Sequence, residues 1–326
     1  MKLVLKISAA ALCLVASATG LKAQGDVAMP FMAIDRSPVT SAMGSAGLAS
    51  SSEIAYASFR NPAVIPFSEK KGDFGLSYQN WAPKGVKSTN LNLGATMRFG
   101  RIIGVTIGGA YQMGAKYDVI DGSGNPKGTF TPSDLMFNAG LGVKIIKNLS
   151  LGANFHYASQ SLADGISYNA VSADVFALYR VAGVNITAGV SNVGSSVKSD
   201  KTGSFSIPAA AVVAGAYTLK AGKSHSIDLA LDANYYFKGG FAASLGAQYA
   251  FKDLAFFRAG YHYGGDSVMP SFASVGAGVA FKGVALNVSY LISSEAIKNT
   301  INVGLGFSFS MRTGVRSYVS EDRPVP

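Results

Sequence analysis

Residues 224–238 read SHSIDLALDANYYFK, and the spacing of their side chains decides the fold. In an extended chain successive side chains point to opposite faces. Ile227, Leu229, Leu231, Ala233, Tyr235 and Phe237 therefore share one face, and Ser226, Asp228, Asp232 and Asn234 share the other. The next stretch repeats the pattern, with Phe241, Ala243, Leu245, Ala247, Tyr249 and Phe251 opposing Ser244, Gly246, Gln248 and Lys252. Upstream, Leu91, Leu93, Ala95, Met97 and Phe99 oppose Asn92, Thr96 and Arg98. Likewise Leu149, Leu151, Ala153, Phe155 and Tyr157 oppose Ser150, Asn154 and His156.

About fourteen segments carry this register: 71–83, 88–100, 101–116, 130–146, 148–162, 167–181, 184–197, 205–221, 224–237, 240–252, 254–264, 271–282, 284–294 and 300–309. Many exceed the roughly 5–6 residues common in soluble proteins and suit the roughly 9–11 of a tilted outer-membrane strand. A soluble β-sandwich also alternates, but its outer faces carry charge. Here the polar face holds mainly Ser, Asn, Gly, Thr and Gln, and only 14% of the chain is charged against 48% hydrophobic. Connection lengths alternate as well. Short turns at 99–101, 147–148 and 282–283 are interleaved with longer polar stretches at 117–129, 197–204, 264–270 and 294–299, and only 238–240 is short where a long one is expected. Membrane barrels have that asymmetry, with short periplasmic turns and longer outer loops. The expected fold is all-β, a transmembrane antiparallel β-barrel of about fourteen strands over residues 71–309. It must close, because backbone groups in hydrocarbon need internal partners. Tyr78 and Trp81 are expected in the outer aromatic girdle.

The ends differ in character. Residues 1–23 read as a secretory signal: Lys2 and Lys6 precede an apolar run from Ile7 to Ala18, and Ala23 offers a small residue before Gln24. Leu12 stands where a lipoprotein signal needs a small residue before Cys13. Cys13 is the only cysteine and leaves with the signal, so disulfides, thiol nucleophiles and cysteine-held metals are not expected. The net charge of +10 falls to +7 once Lys2, Lys6 and Lys22 are removed. The basic residues are scattered at strand ends and turns, which argues against a nucleic-acid partner. Residues 24–70 do not alternate and are too apolar for easy disorder; they are expected to form a hatch inside the lumen that fourteen strands would otherwise leave open. Residues 310–326 are expected to be a periplasmic tail.

Catalytic chemistry finds little support. His225 falls in an expected periplasmic turn, and His156 and His262 face the lumen without a partner at diagnostic spacing. Asp121-Gly122-Ser123-Gly124-Asn125 lacks the closing Glu of a calcium loop and reads better as a turn. No enzyme activity, cofactor or metal site is expected. Arg98, Lys252 and Arg258 share the lumenal face with Asp174, Asp228 and Asp232, and are expected to form ion pairs that pack the hatch or a selectivity lining.

The N-terminal segment carries a family signal. Phe31, Arg36, Met43-Gly44-Ser45-Ala46-Gly47 and Asn61-Pro62-Ala63 follow one another in that order, and Gly189-Val190-Ser191-Asn192-Val193-Gly194 is followed by Ile207-Pro208. In these motifs the chain resembles the PorV/PorQ family, relatives of the FadL-type transporters. Ile34-Asp35-Arg36-Ser37-Pro38 departs from the Asp-Ala-Arg style opening common there. The resemblance implies a fourteen-stranded outer-membrane barrel with a hatch built on Arg36, Met43, Gly44, Gly47, Asn61, Pro62 and Ala63, and a strand-end motif at Asn192, Gly194 and Pro208. It implies a role in type IX secretion or surface attachment in Bacteroidota, with envelope or secretion proteins as partners. The alternatives are FadL-like passive transport of a hydrophobic small molecule and a general porin. Phe307 and Phe309 close the last strand where an aromatic serves the barrel-insertion machinery, and outer-membrane lipid is the remaining expected partner.

Overall fold

The computed structural model describes residues 27–81, 87–199, 203–222, 224–265, 268–293, 297 and 299–310. The expected signal and all but the first residue of the expected tail lie outside them. Among the described residues there are eighteen strands: β1 (Gly72–Trp81), β2 (Ser88–Phe99), β3 (Ile103–Met113), β4 (Tyr117–Ile120), β5 (Pro126–Phe130), β6 (Ser133–Ile146), β7 (Leu149–Ala163), β8 (Ile166–Val181), β9 (Val184–Gly194), β10 (Ser196–Ser199), β11 (Gly203–Ser206), β12 (Ala210–Ala221), β13 (His225–Tyr236), β14 (Gly240–Phe251), β15 (Ala255–Tyr263), β16 (Phe272–Phe281), β17 (Val284–Ser293) and β18 (Thr300–Phe309). Fourteen of them form one closed antiparallel barrel, in which each strand pairs with the next barrel strand and β18 pairs back onto β1. The other four are two hairpins, β4–β5 and β10–β11, inside the expected long loops.

The two-residue repeat explains the wall. Outward positions such as Ile107, Phe155 and Leu245 are 62%, 56% and 59% exposed, while their neighbours Thr106, Asn154 and Ser244 are buried. So much exposed apolar surface is tolerable only against lipid. Among the described residues no helix is long and apolar enough to cross a membrane; the strands cross instead. Closure satisfies every strand edge, which an open sheet in hydrocarbon could not do. The seam is reinforced on the lipid side, where Phe309 stacks on Phe74 at 6.4 Å and Phe307 faces outward beside it.

Several expectations need correction. Strand ends shift by a few residues, and Ile207-Pro208 divides the segment expected at 205–221 into β11 and β12, because proline cannot donate to the ladder. Two outer connections are short rather than one: 164–165 as well as 237–239. Trp81 is 7% exposed and packs inside the barrel instead of joining an outer girdle; Tyr78, 52% exposed, does face outward. His225 is the first residue of β13, not part of a turn. Lys252 lies in the β14–β15 turn with φ 53°, exposed at the rim where it borders the mouth of the lumen.

Candidate functional site

The inward face of the wall is polar because it has a backbone to satisfy. Residues 27–71, the inner segment, form short helical turns and coil that touch the inward face of the wall, and a backbone without a ladder needs partners from elsewhere. Inward side chains from most of the circumference supply them. The Ser77 hydroxyl donates to the Arg36 carbonyl (2.8 Å), Thr96 to Ile54 (2.6 Å) and Ser150 to Ala63 (2.5 Å). Asn154 Nδ2 donates to the carbonyls of Ala57 and Arg60, and Asn185 Nδ2 to that of Ala49. From the other side, Ser274 Oγ accepts from the Gly44 amide at 2.8 Å. Inward glycines let the two backbones approach. A Cβ at Gly94, Gly142, Gly152 or Gly260 would overlap Ala55, Pro62, Ala63 or Met43.

The residues singled out in the sequence divide between the inner segment and the wall. Gly44 has φ +66°, and a Cβ there would meet the Tyr261 backbone at 2.5 Å. Asn61 caps the 3-10 turn Pro62–Phe67 by accepting from the Ala63 amide at 2.9 Å. Its Nδ2 donates to the Leu48 carbonyl and to Thr187 Oγ1 of β9. Arg36 is buried and donates to the Phe31 carbonyl at 2.6 Å.

Asp232 of β13 is the principal latch. Its carboxylate accepts from the amides of Gly47 and Leu48 and faces Arg60 Nη2 at 3.4 Å, while Arg60 Nη1 reaches Asp35 at 3.3 Å. Arg60 is the residue that sequence reading missed; it lies one position before Asn61-Pro62-Ala63 without period or motif of its own.

The expected ion pairs among the lumenal charges do not form. Arg258 is held by Gln248 (2.6 Å) and Asn287 (2.9 Å), and Asp228 accepts from Thr218 and Gln248. Arg98 sits near the short-turn end, bonded to the carbonyls of Lys70 and Gly100. Asp174 faces His156 Nε2 at 2.8 Å, with His156 Nδ1 2.8 Å from Asn138. Neutral residues and the inner segment are thus the partners for these charges, apart from the Asp174–His156 pair.

Asp174 also explains the motif at 189–194. The β8–β9 register shifts there, so that Ser191 and Asn192 together face Asp174. Asn192 takes φ 51°, its amide donates to Asp174 Oδ1 at 2.7 Å, and its Nδ2 donates to the Pro208 carbonyl. Gly194 ends the strand against Val171 and Ser172, too close for a Cβ. The motif therefore builds a β-bulge, which interrupts the ladder and bends the strand.

Toward the loop end the lumen changes character. Trp81, Met136, Met269, Phe272 and Leu291 converge from the wall and its loops on Met29, Phe31, Met32 and Ile34 of the inner segment, forming one buried apolar cluster. Val27 forms a parallel bridge to Ser206 at the same end, with the Ala28 amide donating to the Ser206 carbonyl at 2.9 Å. Toward the short-turn end a cavity of about 910 Å³ opens, lined in part by Glu53, Asp73, Arg180, Asp228 and Arg258. No group of three or more metal-ligating side chains occurs among the described residues. Asp121 accepts from the Ser123 and Asn125 amides, both at 2.9 Å, as a turn does. Those backbone bonds hold its carboxyl below the usual carboxylate range.

No family model matches this chain, and no curated protein does. Solved structures do. The monoaromatic hydrocarbon channel CymD superposes with a TM-score of 0.59 at 14% identity, covering 84% of this chain and 97% of that one. The Ralstonia pickettii toluene transporter TbuX gives 0.58 at 12% identity over 84% and 97%, and the Pseudomonas putida toluene transporter TodX gives 0.56 at 14% over 83% and 97%. At such identities the likeness is one of fold: a FadL-type barrel. The wider resemblance inferred from the sequence motifs is supported only to that depth, and none of these comparisons points to PorV or PorQ.

Proposed function

We propose that this protein is an integral outer-membrane channel that passes small hydrophobic molecules. The observation that supports this best is the change in lumen chemistry. Below, the inward positions are Ser, Thr, Asn and charged groups; at the loop end Trp81, Met136, Phe272 and Leu291 stand among the polar positions and pack as one apolar cluster. Water gains nothing from such a lining, whereas an apolar solute leaves water by entering it. Residues Met29, Phe31 and Met32 fill the cluster, so a solute of similar shape would compete with them. The β8–β9 bulge, where the wall ladder is interrupted, offers a sideways exit toward lipid. The similar folds named above are channels or transporters for monoaromatic compounds, which agrees with this reading.

A role in secretion or surface attachment fits less well. Gly44, Gly47, Asn61 and Ala63, which carried the resemblance, are engaged in seating the inner segment, and none of them presents a surface to a partner. A general porin fits least, because the apolar cluster opposes water.

Trp81 is the only tryptophan and lies in the cluster, so it reports on occupancy directly. Titrating the detergent-solubilised protein with toluene should change Trp81 emission saturably, and Phe272→Asp should remove the saturable part. A change that rises linearly with toluene in both proteins, as from partition into micelles, would refute the reading.

A further inference from the structure

The periplasmic rim carries a repeated device that transport does not use. β14 ends Phe251-Lys252 and β16 ends Phe281-Lys282. In both, the phenylalanine faces outward, 39% and 66% exposed, and the lysine takes a left-handed conformation with φ 53° and 49°. In both, that turn folds the ammonium back over the preceding ring, with Nζ 5.2 Å and 5.1 Å from the centroids. The conformation is uncommon for residues other than glycine. Its appearance twice, with the same result, puts two cations on the rim between the outward-facing rings and the mouth of the lumenal cavity, which both lysines also line.

The two turns are neighbours. β15 pairs with both β14 and β16, and the Ala280 amide donates to the Leu254 carbonyl of the first turn. Two strand spacings and a two-residue stagger set the lysine backbones about 12 Å apart. Beside Phe251, His225 Nδ1 lies 2.7 Å from the Tyr249 hydroxyl, and both rings face outward at the same level. Asp253, next to Lys252, is the carboxylate within these two turns.

We propose that this patch is a binding site for an anionic phospholipid of the inner leaflet. Lys252 and Lys282 would hold the headgroup phosphate, the Tyr249–His225 pair would supply further polar contacts, and the exposed faces of Phe251 and Phe281 would lie along the acyl chains. The inference rests on the barrel being embedded, not on what it transports. Cations beside a lipid surface attract anionic headgroups, and aromatic rings anchor at the same depth.

Native mass spectrometry of the full protein, released from detergent with equimolar phosphatidylglycerol and phosphatidylcholine of identical chains, tests it. Wild type should retain phosphatidylglycerol preferentially. Lys252→Gln and Lys282→Gln should each reduce that preference about fivefold, and the double variant about 25-fold, at about 1 kcal/mol per lysine. Retained mobility on unheated gels verifies that the variants are folded, and the single variants decide the matter if the double one is not. Equal retention of the two lipids by wild type, or an undiminished preference in both single variants, would overturn the site. Displacement of the lipid by glycerol 3-phosphate would also overturn it, by showing a soluble phosphate site.

Discussion

Asp232 shows how much one inward side chain can hold. Its carboxylate binds two amides and one guanidinium of the inner segment, and removing it leaves two buried amides without an acceptor and Arg60 with Asp35 as its remaining carboxylate. Asp232→Ala should therefore lower stability by about 3 kcal/mol, and limited proteolysis should cut near Leu48 while the wall stays intact. Asp232→Asn should do less harm, since one oxygen still accepts. Gly44→Ala faces a left-handed backbone and the Tyr261 main chain together. It should cost about 2 kcal/mol, visible as a lower temperature for loss of compact gel mobility. Legibility at this level was uneven. Asp232, Gly44 and Asn61 stood out by parity or motif. Arg60 did not, because its partners Asp35 and Asp232 lie 25 and 172 positions away in sequence, and no local period links them.

The strands were the most legible elements, since lipid on one side and a satisfied backbone on the other enforce a period of two along every one of them. What alternation could not show was where it stops. The hairpins β4–β5 and β10–β11 lie in stretches whose polar composition marked them only as loops, with no alternation to show that the chain stays extended there. The bulge at Asn192 adds one residue and moves the outward apolar positions from Val190 to Val193, a single three-residue step that is hard to tell from the end of a strand. Trp81 was misplaced for a related reason: parity puts it with Gln79 and Ser77, which are both buried, but its aromatic character suggested an interfacial girdle. The bulge gives a test of its own. Deleting Asn192 should restore regular β8–β9 pairing, leave barrel mobility unchanged and slow uptake of a hydrophobic solute severalfold. Uptake equal to wild type in a folded deletion variant would remove the bulge from the exit route.

At the level of the whole molecule the barrel is a lipid-facing cylinder whose interior is shared between a polar scaffold for the inner segment and a packed apolar cluster at the loop end. The architecture could be read from the sequence because closure in hydrocarbon leaves few alternatives. The apolar cluster could not, because its members are spread from Met29 to Ile297 and meet only in three dimensions. Uptake is the most direct test of what the cluster does. Initial rates of toluene entry should be measured in cells that lack other hydrocarbon channels and express the wild-type protein, the Phe272→Asp variant or no barrel. The proposed function predicts a rate severalfold above background for wild type and near background for Phe272→Asp. A wild-type rate no higher than background, in cells whose barrel is folded in the outer membrane, would contradict it.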